Sequence, residues 1–68
     1  MIFSERIKEL REEKGLTQSQ LSIELDRKIS TSAICRWEQG ERQPGLDALI
    51  ILAKYFGVTI DYLAGLED

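Results

Sequence analysis

Helix stop and start signals recur so often along this chain that every stretch between them is left as a short helix. Gly15, Gly40 and Gly57 each follow apolar residues at helical spacing, and Thr17, Ser30 and Thr59 each stand where a new helix needs an N-cap. Five helical segments result, with no alternating strand pattern, no repeat and no low-complexity tract. The first is expected from about Ser4 to Lys14, with Phe3, Ile7 and Leu10 on one face. In Thr17-Gln18-Ser19-Gln20 the threonine hydroxyl and the second glutamine can satisfy each other's backbone N–H, a capping box that opens a second helix. That helix carries Leu21 and Leu25 inward and is expected to end near Asp26 or Arg27. Ser30 caps a third that stops at Gly40, Leu46 to about Phe56 form a fourth, and Thr59 caps a last short one through Ala64. The expected fold is all-α: one compact five-helix domain over residues 1–68.

A chain of 68 residues buries only about 60% of the surface its unfolded form exposes, too little to wall a large enzyme pocket. A single cysteine, Cys35, excludes an internal disulfide, and the lack of any histidine removes the usual zinc ligands and every Ser-His or Cys-His nucleophile. No glycine-rich run closes in Gly-Lys-Ser/Thr to cradle a phosphate. The chain is therefore not expected to be an enzyme, nor to hold a metal, cofactor or small-molecule ligand, and Cys35 reads as a small buried or half-buried hydrophobe. The opening MIFSERIKEL has charges at Glu5 and Arg6, unlike a secretory signal, and no run reaches the roughly 18 apolar residues of a membrane span. A cytoplasmic protein without a membrane partner is expected.

Nine basic and twelve acidic residues give a net charge of −3, where a nucleic-acid binder usually shows a basic footprint. The distribution changes the picture. Residues 1–42 hold eight of each sign, residues 43–68 hold one basic and four acidic, and residues 27–42 hold four basic against two acidic. The third helix lies in this most positive stretch. Its buried stripe is Ile34 and Trp37, which leaves Thr31, Ser32, Cys35 and Arg36 on the other side. Small side chains at the start let a backbone approach another surface closely, and an arginine one turn later projects a planar fork of donors. A helix fits the DNA major groove, where arginine pairs bidentately with guanine and serine or threonine meets base edges or a thymine methyl.

The segments LREEKGLTQSQLS, ISTSAICRWEQGERQPGLDALIILAKYFGV and TIDYLAGLED, in this order and near this spacing, resemble the phage-repressor-type helix-turn-helix family, the xenobiotic-response-element class with a lambda-repressor-like DNA-binding domain. The likeness covers nearly the whole chain. It implies that Thr31, Ser32 and Arg36 read bases from the third helix and that Gln18, at the start of the second, bonds phosphate and braces a base-reading side chain, with Ser19 as helper. It further implies that Gln39, Gly40 and Arg42 grip phosphate through backbone N–H groups and a basic side chain, and that Arg11 and Glu38 form a partly buried ion pair between the first and third helices.

Two departures from the family pattern stand out. Where the family has leucine, glycine, an apolar residue and a cap, this chain has Leu25-Asp26-Arg27-Lys28-Ile29-Ser30, two residues longer and without glycine. Either the second helix runs on, or the turn bulges with Arg27 and Lys28 outward, as phosphate contacts or as a solvated charged corner. The fourth helix is also apolar over more than one stripe, with Ile51 where the family commonly has a polar residue. Ile51 and Tyr55, with Ile60, Tyr62 and Leu66, are expected to face a second copy, setting two third helices about 34 Å apart on an inverted repeat. The expected function is a sequence-specific regulator of transcription, a repressor, acting as a homodimer on double-stranded DNA. The alternative is a protein-interaction module, antitoxin-like or an adaptor, on the same fold.

Overall fold

The computed structural model describes residues 2–67, which form five helices: α1 (Ile2–Glu13), α2 (Gln18–Glu24), α3 (Thr31–Glu38), α4 (Leu46–Phe56) and α5 (Ile60–Ala64). The all-α reading holds, and most of the caps fall where their chemistry puts them. Thr17 accepts from the Gln20 N–H at 3.1 Å while the Gln20 side chain accepts from the Thr17 N–H at 2.8 Å, which completes the capping box. The hydroxyls of Ser30 and Thr59 accept from the Ala33 and Tyr62 N–H groups at 3.0 and 2.9 Å. α1 begins at Ile2 rather than Ser4, two residues earlier, and Phe3 and Ser4 in its first turn are buried.

Each helix contributes one side chain with no solvent exposure, namely Ile7, Leu21, Ile34, Leu52 and Leu63. Complete removal from water is worth about 1.5 to 3 kcal/mol for each such residue, so a single contiguous core accounts for why all five elements are present at this length. Phe3 and Trp37 join α1 to α3 edge to face, with ring centroids 5.7 Å apart. α5 closes the bundle against α1. There Arg6 lies over the Tyr62 ring, 4.2 Å from its centroid, and donates to the carbonyls of Tyr62 and Glu67. A side chain at Gly65 would meet Ile2 at 2.9 Å, so glycine is required where the two ends of the chain cross.

Among the described residues, no helix is long and apolar enough to cross a membrane. The principal extents of 27 × 24 × 22 Å make the body nearly isotropic.

Candidate nucleic-acid interface

α3 owes its orientation to its buried side. Ile34 and Trp37 are sunk in the core, which turns Ser32 and Arg36 fully outward and leaves Thr31 and Cys35 half-buried at the edges of the exposed face. The side chains of Thr31, Ser32 and Arg36 have no intramolecular hydrogen-bonding partner among the described residues. Their donors and acceptors face solvent.

The C-terminal end of α3 is pinned from two directions. Arg11 on α1 holds Glu38 bidentately, Nε to Oε2 at 2.7 Å and a terminal nitrogen to Oε1 at 2.9 Å, with the two side chains 11% and 6% exposed. Its other terminal nitrogen donates to the Leu16 carbonyl in the α1–α2 corner at 2.7 Å. Gln18, the first residue of α2, donates its amide to Glu38 Oε1 at 3.1 Å. Three helices thus meet on one carboxylate. Burial pushes that carboxyl upward, but hydrogen bonds from Arg11 and Gln18 and the charges of Arg11 and Lys8 outweigh it and hold it below the ordinary carboxylate range. The Arg11 guanidinium is raised, first by its hydrogen bond to Glu38, against the opposing effect of burial. Gln18 was foreseen from the family likeness as a phosphate contact; its place as third member of the ion pair has no signal in the sequence by itself.

The exit of α3 corrects one expectation. The N–H groups of Gln39, Gly40 and Glu41 point back into the helix, to the carbonyls of Cys35, Trp37 and Arg36 at 3.1, 3.0 and 2.9 Å. This is a Schellman motif with Gly40 at φ +76°. Those N–H groups are therefore consumed by the helix cap and are not available to a phosphate, while the side chains of Gln39 and Arg42 are exposed.

The entrance to α3 resolves the lengthened turn. α2 stops at Glu24, short of Asp26 or Arg27, and the turn bulges outward. Asp26 takes the left-handed position that glycine fills elsewhere, at φ +56°, and Arg27 follows at φ +58°. The Asp26 and Arg27 N–H groups return to the Ile23 and Ser22 carbonyls at 3.0 and 2.9 Å, so the same capping geometry is built without glycine. Ile29 then drops into the core, and the Ser22 hydroxyl donates to its carbonyl at 2.7 Å within the buried interior. Arg27 and Lys28 are left exposed beside the start of α3. The missing signal was aspartate, one of the few non-glycine residues that enters the left-handed region readily.

The residues expected to face a second copy do not form one uniform surface. Ile51, Tyr55, Ile60 and Tyr62 are half-buried against the core, and Leu66 is 77% exposed. The Tyr55 hydroxyl donates to Glu24 at 3.0 Å and Lys14 lies over its ring at 5.0 Å, so this side chain ties α4 to α2 and to the end of α1. The Tyr62 ring is covered by Arg6. Three large apolar residues outside that set are more exposed than most of it: Leu46, Ile23 and Ile2 at 64%, 52% and 44%. Ile23 was legible, since it stands on the opposite side of α2 from Leu21 and Leu25. An open groove of about 380 Å³ runs between Ile2, Phe3, Gln43, Pro44, Leu49 and Ala64. Among the described residues no three His, Cys, Asp or Glu side chains gather as a metal ion would require.

A capped helix pair across a short turn, with the second helix baring a polar and cationic face while its hub is locked from behind, defines a helix-turn-helix domain. The helix-turn-helix family model matches residues 7–63, and the chain belongs to that family, in its xenobiotic-response-element, lambda-repressor-like class. It is similar to the HTH-type transcriptional activator BcrR of Enterococcus faecalis, 41% identical over all 68 residues and 32% of that protein's length. It also resembles two proteins of Bacillus subtilis (strain 168): the uncharacterized HTH-type transcriptional regulator YobD, 34% identical over 98% of this chain and 58% of the relative, and the HTH-type transcriptional regulator ImmR, 31% identical over the whole chain and 52% of the relative. The chain thus spans 32% to 58% of the length of these relatives. No solved structure matches it significantly.

Proposed function

We propose that this chain is a sequence-specific binder of double-stranded DNA that regulates transcription in the cytoplasm by laying α3 in the major groove. The observation that carries this reading is the division of α3 itself: Ile34 and Trp37 are wholly committed to the core, while Thr31, Ser32 and Arg36 stand outward with no protein partner. In this reading those three side chains contact base edges, and Arg36 supplies the bidentate fork suited to guanine. Gln18 and Ser19 at the start of α2, Gln39 and Arg42 beyond α3, and Arg27 and Lys28 on the bulged turn contact the sugar-phosphate backbone. The net charge of −3 keeps non-specific attraction weak and so favours discrimination between sites.

Two copies bound to an inverted repeat would place their α3 helices one turn of DNA apart, about 34 Å. Apolar side chains at Ile51, Ile60 and Leu66 support such pairing, whereas Tyr55 and Tyr62 are occupied within the chain. Repression follows most simply, because blocking a promoter needs only the bound domain, while activation needs a further contact. The E. faecalis relative is named an activator, and this chain aligns with 32% of its length.

The deciding experiment is enrichment of a randomised duplex pool on the purified chain, followed by titration of the selected duplex and a scrambled one at two salt concentrations. A selected sequence that competes against the scramble supports the reading. A well-folded chain that enriches nothing favours the protein-interaction module, for which the exposed Ile2, Leu46 and Leu66 would be the contact residues.

A further inference from the structure

Lys8 stands beside the exit of α3 with no task in the reading above. Ser4, Lys8 and Arg11 fall on one side of α1 at helical spacing. Ser4 is buried and Arg11 is bonded to Glu38, so this is the side that α1 lays against the end of α3. Lys8, between them, is exposed. It is near enough to Glu38 to act on that carboxyl electrostatically, yet Glu38 has no further use for it. One oxygen is filled by Arg11, the other by Arg11 and Gln18 together, and the charge of the carboxylate is matched by the guanidinium. Glu12, one turn beyond Lys8, acts on Arg11. Among the described residues no carboxylate lies within 4 Å of the Lys8 ammonium. Its charge is surplus beside the carboxylate that Gln18 also reaches.

We infer that Lys8 is a DNA-phosphate contact, through which α1 adds a third element to the backbone track supplied by the start of α2 and the exit of α3. The inference rests on the DNA-binding reading and adds to it a residue outside the helix-turn-helix pair. A lysine suits this role because its ammonium is a point charge on a flexible stem, able to follow a phosphate without fixed geometry. Lys14 and Lys54 are natural controls: the first lies over the Tyr55 ring and the second is on α4.

The test uses the duplex enriched from a randomised pool by the wild-type chain and a scrambled duplex of equal length, titrated by fluorescence anisotropy over a series of potassium chloride concentrations. Lys8→Gln should weaken both duplexes by the same factor, about five- to tenfold near 0.1 M salt, and flatten the slope of log affinity against log salt by about 0.9. Lys8→Arg should restore both. Lys14→Gln and Lys54→Gln should change neither, and the thermal melt of Lys8→Gln should coincide with wild type. If Lys8→Gln leaves the slope unchanged while Arg42→Ala flattens it, Lys8 touches no phosphate and the DNA-binding reading survives without it. If Lys14→Gln has the same effect as Lys8→Gln, the loss reports overall charge and the assignment fails. If the pool yields no enriched duplex, the DNA-binding reading falls and takes this contact with it.

Discussion

The two ends of α3 are held in opposite ways. At its C-terminal end a buried carboxylate is shared by Arg11 and Gln18 and the chain leaves through a glycine cap, every group in an ordinary conformation. At its N-terminal end the chain arrives through Asp26 and Arg27, two consecutive non-glycine residues in the left-handed region, and only then reaches the Ser30 cap. Such residues cost of order 1 kcal/mol or more each unless glycine or a short polar side chain relieves them. The contrast teaches that stability and presentation are separated along one short helix. Its exit is the anchor, and its entrance is bent outward at some cost, which leaves two exposed cations beside the start of the helix.

The strongest way to break this comparison is to remove the anchor. Arg11→Ala leaves Glu38 as an uncompensated, nearly buried charge and is expected to cost about 3 to 5 kcal/mol, read as a fall in the urea midpoint. A loss under 1 kcal/mol would show that the exit is not what fixes α3. The presented face ranks next. Arg36→Ala should lose roughly 1 to 3 kcal/mol of binding to a selected duplex and relax the preference at one base pair, whereas Arg42→Ala should weaken all duplexes alike. Equal, sequence-independent losses would withdraw Arg36 from base reading.

Backbone substitutions sharpen the contrast at smaller cost. Gly40→Ala, at φ +76° with open space around it, should destabilise by about 1 to 2 kcal/mol. Arg27→Gly should act in the opposite direction, stabilising by up to about 1 kcal/mol as the left-handed strain is relieved, with Asp26→Gly gaining less because aspartate already tolerates that conformation. Both are read from thermal melts. The smallest effect is on pH dependence. The Glu38 carboxyl is depressed in the folded state, so its contribution is fully present above the ordinary carboxylate pKa and is lost as pH falls through its lower folded value. Acid titration of stability should be shallower in Glu38→Gln than in wild type across that window.

Most of the fold was legible because its punctuation is local. A threonine or serine cap and a following helix are encoded within four residues, and Thr17, Ser30 and Thr59 were each read correctly for that reason. The turn after α2 was not, since the usual glycine is replaced and whether Asp26 or a longer helix fills its place depends on where Ile29 finds the core. The outward positions of Ser32 and Arg36 followed from helical periodicity alone. The inward turn of the Gln39 and Gly40 N–H groups did not, because family likeness assigns a segment to a role without saying which of its atoms remain available. Tyr55 shows the same limit: its apolar spacing gave no hint that Glu24 and Lys14, distant in sequence, would claim it.

The crossing of Gly65 over Ile2, clasped by Arg6, brings the beginning and end of the described chain to one corner of the molecule. Topologically the domain is nearly a closed ring. A circularly permuted version, joined there by a brief linker and opened at the exposed Gln43, should retain the same five-helix architecture, and the intact domain could be spliced into a surface loop of a host protein without prying that loop apart.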